Sequence, residues 1–351
     1  MMKRASWTGP FHPYWRAVLA LALISACSHP SLPIEDHAQS AVTQRILIAT
    51  RTPLEAPLPF GAPRDQLMTY SRIDVGVPDT HRPGNIEWRG RDNPQARFTL
   101  SQYGRFQGPA GFQRSLQAHA DTTDDVTLLF VHGYNSGTLK SLLRFAQINV
   151  DFQQNASSLL FAWTSANDPR AYMYDRDSVL VARDDLVDLL DTVTRNNTRD
   201  VAIIAHSMGA FLVMETLRQI ALTGRQDLGA RVTWVALVSP DIDPDVFRAQ
   251  AKTIEDLPPE FYILSARQDR ALSLASFLTG GRGRVGMIQS PEQVAGLDVT
   301  VLDLSDLTDG SGGDHSIAFR SPAAIQALID LSDGTSPPLD GRPELLRITS
   351  N

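Results

Sequence analysis

The stretch that decides the fold runs from Asp200 to Gly224, Asp-Val-Ala-Ile-Ile-Ala-His-Ser-Met-Gly-Ala-Phe-Leu-Val-Met-Glu-Thr-Leu-Arg-Gln-Ile-Ala-Leu-Thr-Gly. Its first part is apolar and rich in β-branched residues, which is typical of a strand buried on both faces of a parallel sheet. Its second part repeats apolar residues at helical spacing, at Phe211, Met214, Leu217 and Ala221. The sequence therefore predicts a strand, a sharp turn and a helix that ends at Gly224.

Ser207 stands at the predicted turn between the strand and the helix. A serine at such a junction sits on a strained backbone that lifts its hydroxyl clear of the sheet, and small neighbours let strand and helix approach closely. This is the nucleophile elbow, usually written G-x-S-x-G, with Ala205 in place of the first glycine and Gly209 as the second. Short strings of this kind also arise by chance, so the flanking strand and helix are the context that supports the interpretation.

A second buried strand, Thr127 to Val131, leads directly into His132-Gly133-Tyr134. Acyl transfer passes through a tetrahedral oxyanion, which needs two preorganised N–H donors. In hydrolases of this architecture one donor follows the nucleophile and the other lies in the loop after an upstream strand. We therefore expect the backbone N–H groups of Met208 and Tyr134 to form the oxyanion hole. We expect His132 to shape this loop rather than to react; in the alternative interpretation the glycines here only form a turn.

A serine nucleophile also needs a base and an acid that orients the base. The chain has eight histidines, of which only His315 follows Ser207, so His315 is the predicted base. Asp269, just after a predicted strand, is the preferred acid, and Asp241 and Asp243 are its rivals. An Asp-x-Asp pair can also hold a metal, but no His or Glu cluster accompanies it, and such residues more often cap a helix.

Two further segments have weaker functional interpretations. Trp163, Tyr172 and Tyr174 follow a predicted strand and are candidates to line an apolar substrate pocket, although aromatic residues at such positions are often plain core. Gly280-Gly281-Arg282-Gly283-Arg284 lacks the Lys-Ser/Thr ending of a phosphate loop. We therefore predict a mobile surface loop there. The reaction inferred below calls for no metal and no organic cofactor.

The first residues are typical of an export signal. Lys3, Arg4 and Arg16 precede a short apolar run that ends in Ile-Ser-Ala-Cys at 24–27. This ending resembles the lipobox of bacterial lipoproteins, so we predict a signal peptide over 1–26, a lipidated Cys27 and a polar tether over 27–40. In the alternative, an ordinary signal peptide, Cys27 has no role. Since Cys27 is the only cysteine, no intramolecular disulfide can form.

Net charge limits the partners of the chain. Its formal charge of −7 becomes −10 if cleavage removes the three cationic residues of the signal. An acidic chain argues against nucleic acid, whose phosphates would repel it. The remaining prediction is a membrane attachment through lipid at Cys27, with Ser28 directing the protein to the periplasmic face of a bacterial outer membrane. A soluble periplasmic or secreted protein is the alternative.

The domain organisation follows from the order of the elements. We predict one α/β domain over 41–351, with an N-terminal extension over 41–120 that carries antiparallel strands and a core over 121–335. Predicted strands in the extension cover 46–49, 70–77 and 98–103. The fold class is α/β, a doubly wound and mostly parallel sheet flanked by helices.

Several quoted motifs resemble a bacterial group of α/β-hydrolases of unknown function within the esterase/lipase superfamily. They are Leu-Phe-Val-His-Gly-Tyr-Asn (129–135), Phe-Ala-Trp-Thr-Ser (161–165), Ala-His-Ser-Met-Gly (205–209), Ser-Pro-Asp-Ile-Asp (239–243) and Asp-His-Ser (314–316), with further similarity at 48–51 and 70–78. The resemblance implies the α/β-hydrolase fold and the assignment of Ser207, Asp269 and His315. It implies no particular substrate, and a lipidated cysteine is not part of the group's core motifs.

The expected activity is hydrolysis of a small-molecule or lipid ester through an acyl-enzyme on Ser207. Thioester or amide cleavage uses the same apparatus, so sequence alone leaves these alternatives open. A non-catalytic envelope protein that kept the fold as a binding or scaffolding module is a further alternative. All three triad positions are occupied, which favours an enzyme.

Overall fold

A mixed β-sheet organises the chain in the computed structural model. The structure describes residues 42–52, 54, 63–88, 96–120, 126–154, 156–195, 199–288, 290–307, 314–332 and 345–346. The predicted signal peptide, Cys27 and the tether lie outside these ranges, and so do residues 311–313 before His315.

Ten strands are present in the described part of the chain, and all belong to this one sheet. They are β1 (Val42–Thr50), β2 (Thr69–Val77), β3 (Thr99–Arg105), β4 (Val126–Val131), β5 (Ser157–Ala162), β6 (Asp200–His206), β7 (Val232–Val238), β8 (Glu260–Ser265), β9 (Thr300–Asp303) and β10 (Leu345–Leu346). Their order across the sheet is β10-β9-β8-β7-β6-β4-β5-β1-β2-β3.

The centre of the sheet is parallel and its edges are antiparallel. The strands that lie side by side in the order β9-β8-β7-β6-β4-β5-β1 all form parallel pairs. For example, Leu129 on β4 pairs with Ile203 on β6. Strands β2, β3 and β10 add antiparallel edges. This arrangement confirms the predicted fold class. It also shows that β1, from the N-terminal extension, pairs in parallel with β5, so the extension contributes to the parallel sheet as well as to its antiparallel edge.

Helices connect the strands and cover the sheet. They are α1 (Gly108–Ala120), α2 (Thr138–Asp151), α3 (Tyr172–Thr194), α4 (Met208–Leu222), α5 (Gln226–Gly229), α6 (Pro244–Ile254), α7 (Arg270–Leu278), α8 (Ile317–Arg320) and α9 (Pro322–Ser332). Helix α2 packs on β1 and β5, whereas α3 packs on α4 and α4 packs on α6. Among the described residues, no helix combines the length and hydropathy that a membrane span requires.

The chain reverses its direction across the sheet after β5. The path from β4 to β5 through α2 moves toward one edge, and the path from β5 to β6 through α3 returns past β4. Right-handed crossovers in opposite directions put their helices on opposite faces, which opens a crevice at the carboxyl ends of β4 and β6. The loop after β4 and the turn after β6 therefore meet at this edge.

Candidate active site

Ser207 occupies the turn between β6 and α4 in a conformation that side chains rarely adopt. Its φ is 55° and its ψ is −119°, a strained combination that persists only when the surrounding structure enforces it. A Cβ at Gly209 would lie 2.3 Å from the carbonyl oxygen of His132 and 2.6 Å from that of Val131. Glycine is therefore required at 209, because the start of α4 rests directly on the end of β4.

The loop after β4 lies against the nucleophile turn. A Cβ at Gly133 would lie 2.8 Å from Ser207 Cβ, so only glycine lets the loop approach this closely. Met208 is the first residue of α4, where a backbone N–H has no acceptor within the helix. Within the described ranges, the N–H of Tyr134 also has no acceptor, whereas the N–H of the following Asn135 is bonded to a side chain. Neither of the two expected oxyanion donors therefore has a hydrogen-bond acceptor within the part of the chain that the structure describes.

Asp175, in the first turn of α3, holds this loop in place. Its side chain is fully buried; Oδ2 accepts hydrogen bonds from Asn135 N at 3.0 Å and Ser165 Oγ at 2.7 Å, and Oδ1 accepts from Ala166 N at 2.7 Å. Ser165 Oγ in turn accepts from Ser136 N at 3.2 Å. The sequence analysis did not identify Asp175, and a lone acidic residue at the start of an amphipathic helix gives little signal of such a role.

His132 belongs to the same loop and is buried against Trp163. Its ring stacks on Trp163 with centroids 5.0 Å apart and planes inclined by 8°, and Trp163 Nε1 donates to the carbonyl of His132 at 2.8 Å. Burial lowers the pKa of His132 to about 4, because the charged imidazolium is poorly solvated there. His132 is therefore neutral at pH 7, and its Nδ1 lies 2.9 Å from the carbonyl oxygen of Gly133.

His315 and Asp269 lie side by side. His315 Nδ1 is 2.7 Å from Asp269 Oδ2, and the Asp269 side chain is fully buried. The other oxygen of Asp269 accepts from the backbone N–H of Leu272 at 2.9 Å, which makes Asp269 the N-cap of α7. One carboxylate therefore both starts a helix and orients the imidazole.

The His315 ring lies next to the nucleophile turn. Its centroid is 4.8 Å from that of His206, the residue that precedes Ser207. Among the described residues, no hydrogen bond joins Ser207 Oγ to His315. Such bonds between nucleophile and base are often longer without substrate and tighten when substrate binds.

The two rival carboxylates have other partners. Asp241 is buried and accepts from Tyr172 Oη at 2.8 Å, with Arg284 Nε 3.1 Å from its other oxygen. Asp243 is the N-cap of α6 and pairs with Arg282 at 2.8 Å. Asp243 thus caps a helix, which is the alternative to metal binding that the Asp-x-Asp pattern offers. No group of three or more metal-ligating side chains occurs in the described part of the chain.

The three aromatic pocket candidates separate in the structure. The Tyr172 ring meets Tyr134 edge to face at 5.4 Å, beside the loop after β4; burial and the Asp241 charge raise the pKa of its hydroxyl. Tyr174 instead carries the Arg64 guanidinium 4.0 Å above its ring. Trp163 lines a small pocket together with Arg51, Arg64 and Asp185, which contains neither Ser207 nor His315. Tyr172 and Tyr174 do not line this small pocket, and the role of the three aromatics in substrate binding stays a prediction.

The glycine-rich segment at 280–284 is only partly the surface loop that the sequence predicts. Gly280, Gly281 and Gly283 are exposed, but Arg284 is buried and donates from Nη2 to the carbonyl of Ala275 on α7 at 3.2 Å. A buried guanidinium needs an anionic partner, and Asp241 supplies it. The segment therefore ties α7 to the loop after β7.

A family of known proteins matches this chain and agrees with its architecture. The family described as "Alpha/beta hydrolase of unknown function (DUF900)" matches residues 109–331. No curated protein matches the chain. Similar solved structures include carboxyl esterase 2 from the mycorrhizal fungus Tuber melanosporum, at 14% identity, 92% coverage of this chain, 97% of that chain and a TM-score of 0.38. Brefeldin A esterase, a bacterial homologue of human hormone sensitive lipase, is 13% identical, with coverages of 91% and 82% and a TM-score of 0.38. These likenesses carry no information on the substrate.

Proposed function

The chain belongs to this family of α/β hydrolases of unknown function, and from that premise we propose that it is a serine hydrolase that cleaves carboxylic esters. One observation carries the proposal. Ser207 sits at φ 55° on the turn after β6, and the His315 imidazole, whose Nδ1 faces the buried Asp269, lies against the ring of the preceding His206. In the proposal, these three residues are nucleophile, base and orienting acid, and the backbone N–H groups of Met208 and Tyr134 form the oxyanion hole.

In the proposed reaction Ser207 Oγ attacks the acyl carbon while His315 Nε2 takes the hydroxyl proton. Asp269 holds Nδ1, so the ring keeps Nε2 toward the serine, and the buried carboxylate stabilises the imidazolium that forms. The N–H groups of Met208 and Tyr134 stabilise the oxyanion. His315 then protonates the departing alcohol, and a water molecule activated by the same nitrogen releases the acid and restores Ser207.

The test is covalent labelling by a fluorophosphonate, which phosphonylates activated serines. Wild-type protein should label at Ser207, and Ser207→Ala should not. Ser239→Ala is the matched control, because Ser239 also directly follows a central strand, β7, has a positive φ of 45° and is also buried. An unlabelled wild-type protein, or equal labelling of Ser207→Ala, would contradict the proposal.

A panel of chromogenic substrates then shows which type of acyl bond the protein cleaves. We expect p-nitrophenyl esters to be hydrolysed faster than thioesters and anilides that carry the same acyl chain. Preferential cleavage of a thioester or anilide would replace the ester assignment while keeping the serine mechanism.

We also propose that the protein is exported and attached to a membrane through lipid on Cys27. The support is the sequence alone, with an apolar signal core that ends in a lipobox-like tetrapeptide. Radiolabelled palmitate should enter the wild-type protein in cells and should not enter Cys27→Ala. Equal incorporation into both proteins, or none into either, would exclude this attachment.

A further inference from the structure

His206, the last residue of β6, contacts the predicted base at its backbone, whereas Asp269 contacts its side chain. Its Nε2 lies 2.9 Å from the backbone carbonyl oxygen of His315. A carbonyl oxygen only accepts, so Nε2 carries the proton and donates it. The backbone of His315 is therefore bonded to the residue that precedes the nucleophile.

The His206 ring also packs on the segment that follows His315. Its centroid is 4.8 Å from the His315 ring and 5.8 Å from the Phe319 ring on α8. His315 itself lies in a single 3-10 turn, Asp314–Ser316, and three residues of sequence Ser-Gly-Gly precede that turn. A single 3-10 turn is short and has poor hydrogen-bond geometry, so the contact from β6 helps to fix it.

Gly133 makes room for this contact. A Cβ at Gly133 would lie 3.0 Å from His206 Nδ1 and 2.8 Å from Ser207 Cβ. The loop after β4, the elbow and His206 thus pack without an intervening side chain. The ring of His206 is held on one side by this loop and on the other by His315 and Phe319.

We propose that His206 is a positioning residue of the hydrolase: by donating from Nε2 to the carbonyl of His315, it fixes the main chain of the base so that the imidazole presents Nε2 to Ser207. The inference rests on the proposed function and deepens it. Asp269 fixes the side chain of His315 and His206 fixes its backbone. With both bonds in place, the imidazole is held in one orientation beside the nucleophile turn.

Electrostatics favours the neutral form of His206. Burial lowers its pKa well below the usual value, and His315 together with Arg144 and Lys140 of α2 adds to the effect. A neutral ring keeps Nε2 as a single donor. It also adds no second full charge beside His315 when that residue becomes an imidazolium during the reaction.

Two substitutions at 206 separate positioning from packing. His206→Gln places an amide N–H close to the position of Nε2 and keeps the donor, whereas His206→Leu fills similar space without a donor. Since an error of about 1 Å in a catalytic group costs on the order of a hundredfold in rate, we expect His206→Leu to slow fluorophosphonate labelling by about ten- to a hundredfold. His206→Gln should label within about threefold of wild type.

Amide hydrogen exchange of residues 314–320 provides a readout that needs no activity. Exchange should accelerate in His206→Leu and stay near the wild-type rate in His206→Gln, with thermal unfolding confirming that both variants are folded. Wild-type labelling and wild-type exchange in His206→Leu would overturn the inference, as would equal losses in both variants. If the wild-type protein does not label at all, the proposed function fails, and exchange alone decides whether His206 holds the turn.

Discussion

Asp269 binds two partners with its two carboxylate oxygens, and His315 is one of them. Oδ2 lies 2.7 Å from His315 Nδ1, while Oδ1 accepts from Leu272 N and caps α7. The carboxylate cannot rotate without giving up the cap, so the helix fixes the direction in which Asp269 meets the imidazole. This rigidity is what a triad acid requires, because its task is to orient rather than to exchange protons.

Replacement of Asp269 by asparagine should lower kcat by about 10³- to 10⁴-fold while the protein stays folded. Asparagine is as good an N-cap as aspartate, but its amide favours the wrong imidazole tautomer and leaves the imidazolium without a counter-charge. Ester turnover and thermal unfolding check the two parts of this prediction.

The matched control is Asp243→Asn, which also replaces an N-cap, that of α6, and has no contact with His315 in the described structure. Its kcat should stay within about twofold of wild type. A large loss of activity in Asp243→Asn, with little loss in Asp269→Asn, would move the acid to the loop after β7.

Asp175→Asn should reduce kcat/KM by about ten- to a hundredfold. The carboxylate accepts three hydrogen bonds around the loop after β4, and asparagine has one oxygen to offer, so Tyr134 N–H loses its fixed position in the oxyanion hole. Loss of one oxyanion donor costs on the order of 10²- to 10³-fold, and displacement should cost less. Steady-state kinetics measures this loss of kcat/KM. The control is Asp177→Asn, an exposed residue on the same helix. Equal activity of the two variants would contradict the role of Asp175.

His132 should make the protein less stable in acid. Because its folded pKa is lowered to about 4, the unfolded chain binds the proton more readily, and stability falls as pH drops from about 6.5 to about 4. The full effect is on the order of 3 kcal/mol of unfolding free energy. His132→Phe keeps the stacking on Trp163 but cannot protonate, so urea unfolding of this variant should change less between pH 6.5 and 4.5. An identical acid loss in both proteins would contradict the assignment.

His81 should have the opposite pH dependence. Its Nδ1 lies 2.8 Å from Glu87 and its Nε2 2.8 Å from Asp151 on α2. These two carboxylates raise its pKa above the usual value, although burial opposes them. The stabilisation is therefore complete below about pH 6.5 and is lost as pH rises through the raised folded pKa.

The substitution His81→Gln isolates this contribution. Hydrogen bonds to charged groups contribute about 1.5 to 3 kcal/mol, so the variant should lose about that much unfolding free energy at pH 6 and clearly less at pH 9. Urea unfolding at both pH values measures the difference. An equal loss at both would show that charge on His81 does not stabilise the protein.

The sequence by itself determined the features that depend on neighbouring residues. The nucleophile elbow is visible because the sterics of a strand-to-helix turn act over five residues, Ala205 to Gly209, and demand small side chains at fixed places. Strand β4 is visible for a similar reason, since burial on both faces leaves a continuous apolar run. The sequence also predicts the base by elimination, because only one histidine follows Ser207.

Only the tertiary structure decided which distant groups meet. Asp241, Asp243 and Asp269 all follow a strand and look alike in sequence. In the folded chain Asp241 pairs with Arg284, Asp243 pairs with Arg282 and Asp269 contacts His315. The sequence also does not reveal that Asp175 supports the loop after β4 or that His206 is bonded to the backbone of His315. Periodicity reports which face of an element is buried, whereas hydrogen bonds between loops depend on where the folded sheet brings their ends.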